Sequence, residues 1–236
     1  MNTVLHKASS RGHANHGWLN SFHTFSFGSY NDPSRVHFGA LRVLNDDLVT
    51  GGNGFGQHPH DNMEIVSIPL HGSLAHGDNK GGKGIITSGE IQIMSAGSGI
   101  THSEKNASKT EDVNFLQIWL FPKEENIEPR YDQKLFNADQ RKNKFLTVIS
   151  PAKSNESLWI NQDAWFSLAN LSKGFIGDYD IRLKNNGVYV FVIEGVVTVN
   201  DQSLNKRDGF GVWDTTKITI SATCDAQILL IDVPMD

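Results

Sequence analysis

The chain has 236 residues, 38% of them hydrophobic and 20% charged, and at this size it buries roughly 70% of its unfolded surface, so its core has no need of a metal staple. A formal net charge of -5 excludes a surface built to neutralise phosphate, and direct nucleic-acid binding is not expected. The first residues carry no apolar leader core and no apolar run approaches the ~20 residues of a membrane span, which together with the single cysteine, Cys224, points to a reducing compartment and an expected cytoplasmic location.

The N-terminal segment is dense in His and aromatic residues. His13, His16, His23 and His37 are expected to be buried and hydrogen-bonded, sealing one end of a barrel, and Trp18, Phe25 and Phe27 to be core. Short alternating or apolar segments follow at residues 40–44, 64–70, 90–94 and 114–121, each bounded by Gly, Asn or Asp, and they read as strands. His71 and His76 flank the turn Gly72-Ser73 and, with Asp78, read as solvated turn side chains. Gly97 and Gly99 predict a tight turn and no phosphate site, since no helix follows. Gln117 is expected to face inward, as a structural polar group or as part of a pocket wall.

Residues 123–144 are rich in charge and contain Pro129, as a linker would be, with a helical turn expected at 137–141. Strand texture returns at residues 188–193, 196–199, 210–213, 218–221 and 228–233. A weak internal repeat, Leu70-His71-Gly72-Ser73-Leu74 against Ile193-Glu194-Gly195-Val196-Val197, suggests that both halves share one fold. The resulting partition is a first barrel at 1–122, a linker at 123–144 and a second barrel at 145–236. Cys224 reads as a packed or turn thiol.

The chemistry concentrates in His58-Pro59-His60 and His102-Ser103-Glu104. Side chains at i and i+2 of a strand share a face, so two such strands side by side aim three imidazoles and a carboxylate at one point. Neutral imidazoles with one carboxylate suit Fe(II), and also Mn, Co, Ni, Cu or Zn, and four protein ligands leave up to two positions open on an octahedral ion. Glu64 is the rival carboxylate; Glu104 is favoured because it stands two residues from His102, with Glu64 left to hydrogen-bond the centre. Aligning the repeat places Ile181 and Leu183 where the first half has His58 and His60, so only the first barrel is expected to hold metal.

The two stretches resemble the two motifs of the cupin superfamily, although a Ser, Ser95, stands where a Pro is usual before Gly97 and the run from Gly97 to His102 is long. That longer run, residues 94–104, together with Arg11-Gly12-His13-Ala14-Asn15-His16-Gly17-Trp18, His23-Thr24-Phe25-Ser26-Phe27, Gly56-Gln57-His58-Pro59-His60 and Pro129-Arg130-Tyr131, resembles pirins, nearest to the bacterial pirin-like proteins described as quercetin 2,3-dioxygenases. The resemblance implies an all-β bicupin of two double-stranded β-helix (jelly-roll) barrels. It implies one divalent transition metal, Fe(II) first among the candidates, on His58, His60, His102 and Glu104, with Glu104 also as catalytic base. It implies a small aromatic substrate such as quercetin, cleaved with dioxygen to carbon monoxide and a depside. As animal pirins are described, the resemblance also implies an alternative, a metal-dependent regulator that binds a protein partner without turnover. A Zn or Mn cupin isomerising or hydrolysing another small molecule is a third. An open apolar cavity at the metal would favour an enzyme; a sealed metal beside an exposed patch would favour the regulator.

Overall fold

The computed structural model describes residues 1–235, and nearly every regular element in it is an antiparallel strand. The first half pairs a seven-stranded sheet, in the order Arg130–Leu135, Glu90–Ser95, Glu64–His71, Val113–Leu120, Leu41–Val49, Leu19–His23 and Gly12–Asn15, with a four-stranded sheet of Gly54–His60, Ile100–Asn106, Ser73–Asp78 and Lys83–Thr87. The second half repeats the arrangement, its four-stranded sheet running Ile176–Asp180, Lys217–Ala222, Val196–Val199 and Gln202–Asn205. Each pair closes on itself as a small double-sheeted barrel, so the molecule is the expected bicupin.

Gly72 and Gly195 occupy equivalent corners of the two barrels. Both have positive φ, +75° and +83°, and a Cβ on either would run into a backbone carbonyl oxygen, that of Asp112 or of Asp225. This is the physical content of the internal repeat.

Two strands pair across the expected partition. Asn2–His6 joins the second barrel, Thr3 lying opposite Val212, and Arg130–Leu135, within the expected linker, is an edge strand of the first, Gln133 lying opposite Gln92. The helical turn is a short 3₁₀ segment at Ala138–Arg141.

Residues facing one side of the first large sheet (Leu44, Val66, Ile93, Leu116, Ile118) pack with residues of the second half (Val148, Phe166, Phe191, Leu229, Ile231) in one buried cluster. At about 1.5–3 kcal/mol for each fully buried side chain of this size, the contact locks the barrels together. The inside of the second barrel is a second continuous apolar cluster that includes Val188, Val190, Val197, Ile220 and Leu230. Ile181 packs against it, whereas Leu183 is exposed and does not fill the barrel as the alignment with His60 suggested.

The inside of the first barrel is divided. Leu19, Val49, Leu74, Ile86, Val113 and Phe115 form one small cluster, and Ile65, Met94, Ala96 and Ile100 another. Between them runs a polar row in register across five strands: His23 opposite Asn45, Asn45 opposite Gln117, Gln117 opposite Ser67, Ser67 opposite Gln92. Opposed residues of neighbouring strands share a face, so all five side chains point inward.

Candidate metal centre

The strands Gly54–His60 and Ile100–Asn106 lie side by side, with His102 opposite His58 and Ile100 opposite His60. The register shifts between His102 and Glu104, bringing Glu104 opposite Phe55. The turn at Gly97 and Gly99, both at positive φ, feeds the second of these strands. The ring centroids of His58 and His102 are 4.4 Å apart, and His60 lies 4.9 Å from each. One ligand atom from each of His58, His60 and His102 lies within 4.8 Å of the others.

A second group, His76, His102 and Glu104, satisfies the same criterion and shares His102 with the first. Both groups found among the described residues lie in the first barrel. His76 corrects the expectation of a solvated turn residue: it is buried on Ser73–Asp78, opposite Glu104, and stacks on Tyr131 at 4.3 Å. Its Nε2 donates to Asp78 Oδ2 at 2.9 Å, which leaves Nδ1 as the lone-pair nitrogen, and that atom has no hydrogen-bond partner. His71, by contrast, is exposed as expected.

Burial holds the His102 imidazole down to about 3, with His58 and His60 adding to the effect, and holds His60 down to about 4, with His58 adding. Both are therefore neutral near pH 7. His58 Nδ1 lies 2.8 Å from the Gly56 carbonyl oxygen and donates to it, leaving Nε2 with the free lone pair. Both ring nitrogens of His102 are buried without a partner. An unsatisfied buried polar atom costs about 1–3 kcal/mol, and a cation among these nitrogens would relieve that cost, so the residues fit a transition metal.

Glu104 is buried and held from behind by the polar row. Gln92 Nε2 donates to its Oε1 at 2.6 Å and Gln117 Nε2 to its Oε2 at 2.5 Å. The Ser67 hydroxyl lies 2.8 Å from Glu104 Oε1 and 2.7 Å from Gln117 Oε1, and its single proton serves one at a time. Gln117 therefore fills both roles expected of it, since it also lines the cavity described below.

Glu64 lies outside both groups, and the hydrogen bond expected of it toward the centre is replaced by others: its Oε2 accepts from Ser95 Oγ at 2.8 Å and from the Asn161 backbone N–H at 3.1 Å. The parity argument that linked it to His58 and His60 fails because the chain turns at Asn62, φ +44°, and Glu64 begins a strand of the other sheet. Burial pushes its carboxyl up to about 6 at this contact between the barrels.

His58 and His60 open onto a cavity of about 450 Å³ with mostly apolar walls, lined also by Glu104, Gln117, Trp119 and Phe55 near the cluster and by Phe27, His23, Asn45 and Asp47 further along. Phe27, expected in the core, is part of this wall, and exposed His16 lines it too. Of the four N-terminal histidines only His23 is buried; His13 stacks on Phe22 at the surface, and His37 is exposed with Nδ1 2.9 Å from the Gly39 carbonyl oxygen. His76 was within reach of sequence reasoning, because His76-x-Asp78 obeys the same i, i+2 rule as His58-x-His60.

Two cupin-type barrels, one filled with apolar side chains and one carrying two candidate metal-ligand groups that share His102, define the class: a bicupin whose candidate metal ligands among the described residues all lie in the first barrel. A family profile described as Pirin matches residues 4–120, and one described as Quercetinase C-terminal cupin domain matches residues 147–233. The chain is 45% identical over 230 residues to the quercetin 2,3-dioxygenase of Escherichia coli strain K12, covering 98% of each chain, and 42% identical over 222 residues to a pirin-like protein of Caulobacter vibrioides, covering 94% and 95%. The crystal structure of the bacterial pirin YhhW from Escherichia coli in complex with nickel(II) superposes with a TM-score of 0.94 at 43% identity, covering 100% of both chains. The chain belongs to the pirin family. No helix among the described residues is long and apolar enough to cross a membrane.

Proposed function

We propose that this chain is a pirin-type dioxygenase that cleaves a flavonol such as quercetin at one mononuclear centre, with His58, His60, His102 and Glu104 as the metal ligands. The observation that carries the reading is the meeting of three imidazoles, His60 and His102 held neutral by burial, of which His58 and His60 line one end of a mostly apolar cavity together with the hydrogen-bonded carboxylate of Glu104. The names of the full-length relatives agree with it. Fe(II) is the ion we assign; the nickel(II) of the related pirin is another that such a donor set takes. When bound there, the ion would supply Lewis acidity that favours the ionised form of a substrate hydroxyl.

The protein's own groups do the rest. Glu104 takes the proton of the flavonol 3-hydroxyl, and the amides of Gln92 and Gln117 keep its carboxylate aimed as it does so. Trp119 and Phe27, in edge contact at 5.4 Å, present a wall against which a flat ring system lies. The apolar walls limit water at the reacting carbon. An open cavity at the imidazoles is the condition that favours an enzyme over a regulator with a sealed metal.

Metal analysis combined with oxygen-uptake assays on quercetin tests the reading. Metal-loaded wild-type protein is expected to consume oxygen and His58→Ala to have lost both metal and uptake. Full metal content in His58→Ala would remove it from the ligand set. Stoichiometric metal in the wild type without turnover would favour the regulatory reading or another substrate.

A further inference from the structure

The cavity has a second polar end that the metal centre does not use. His23 Nδ1 and Asn45 Oδ1 are buried, have no hydrogen-bond partner, and belong to residues of the cavity wall. Beside them Asp47, also in the wall, accepts from the Ser21 hydroxyl. Asn45 stands one strand, and His23 two strands, from Gln117, which holds Glu104; two strand spacings are about 10 Å.

A continuous line of rings joins the two ends. His60 meets Trp119 at 4.8 Å, Trp119 meets Phe27 at 5.4 Å, and Phe27 meets His23 at 5.3 Å, each in edge-to-face contact. A flat aromatic molecule lying along this wall with its chelating oxygen toward the imidazoles reaches Asn45 and His23 with its far ring. Buried atoms left without partners in a mostly apolar wall discriminate strongly, because a ligand that fails to satisfy them leaves them desolvated.

We propose that His23, Asn45 and Asp47 form a hydrogen-bonding pole that selects polyphenols carrying a hydroxyl remote from the one that meets the metal. The Asn45 side-chain amide is the partner of that hydroxyl, and His23 is the partner of a second, adjacent hydroxyl where the ring is a catechol. The inference rests on the dioxygenase reading for the orientation of the substrate, and the pole itself is a statement about binding.

The test compares quercetin with 3-hydroxyflavone, which keeps the chelating hydroxyl and lacks all others, on metal-loaded wild type, Asn45→Leu, Asn45→Asp and His23→Phe. Wild type is expected to prefer quercetin by about tenfold or more in kcat/KM. Asn45→Leu and His23→Phe are expected to bring the two substrates within about twofold through KM, with metal content unchanged, and Asn45→Asp, which keeps an acceptor, to restore part of the preference. Thermal unfolding identifies any variant that fails to fold, and the remaining variants then carry the comparison. Equal loss on both substrates, or no preference in wild type, overturns the proposal. Calorimetric binding of the same two compounds separates it from the dioxygenase reading: a preference in binding that the variants abolish upholds the pole even without turnover, and equal binding refutes it.

Discussion

Replacing Asp47 by Asn should stabilise the metal-free protein, and by an amount that depends on pH. Asp47 is only 3% exposed, and burial raises its carboxyl from 3.8 to about 7; the Ser21 hydroxyl opposes the rise, while Asp46 and Glu104 reinforce it. The unfolded chain releases this proton near pH 4 and the folded chain only near pH 7, so between these values the folded state holds more protons. Stability contributed by the protonated carboxyl is therefore complete below the unfolded value and lost as pH rises through the folded one. At 1.36 kcal/mol per pKa unit the whole interval amounts to about 4 kcal/mol. Asn keeps an oxygen for the Ser21 hydroxyl and carries no charge at any pH. Urea unfolding of chelator-treated wild type and Asp47→Asn at pH 5 and pH 8 is the assay. The variant's advantage should be larger by about 3 kcal/mol at pH 8 than at pH 5. A difference that does not change with pH, or one that grows toward acid, would refute the argument that Asp47 is held protonated by burial.

Other perturbations follow from the same contacts. Asp46 ties the barrels together, with Arg11 Nη1 at 3.2 Å, Arg207 Nε at 3.0 Å and Asn114 Nδ2 at 2.8 Å; Asp46→Ala removes the carboxylate from two half-buried guanidinium groups, which keep hydrogen bonds to the Ala8 and Ile193 carbonyl oxygens, and should cost about 1–3 kcal/mol in chemical denaturation. His76→Phe keeps the stack on Tyr131 but removes the nitrogen beside His102 and Glu104, and should weaken metal binding by about 10–100-fold in a competition titration; unchanged affinity would show that His76 only fills space. Glu104→Gln should retain part of the metal and lose turnover of quercetin, and unaltered turnover would exclude Glu104 as the base.

Strands that are nearly continuous apolar runs bounded by turn residues, such as Val113–Leu120 and Asn186–Glu194, are legible in the sequence to within a residue or two because both faces are largely buried. So was the pairing of His58-x-His60 with His102-x-Glu104, since strand parity is a local property and two such pairs have few other uses. What stayed hidden depends on contacts far apart in the chain. Asn2–His6 carries no mark of its pairing with Gly209–Trp213, and the charged side chains of Arg130–Leu135 disguise an edge strand as a linker. Glu64 was misplaced because a parity count does not survive the turn at Asn62. The polar row behind Glu104 is visible only once register is known, for Ser67, Gln92 and Gln117 each sit alone within apolar sequence.

Carbon monoxide release by the Fe(II)-reconstituted protein with quercetin and dioxygen tests the central claim most directly. The account predicts one carbon monoxide per quercetin consumed, with a depside as the other product, and the loss of both after chelation or in His102→Ala. A protein carrying its full complement of metal that leaves quercetin intact would contradict it.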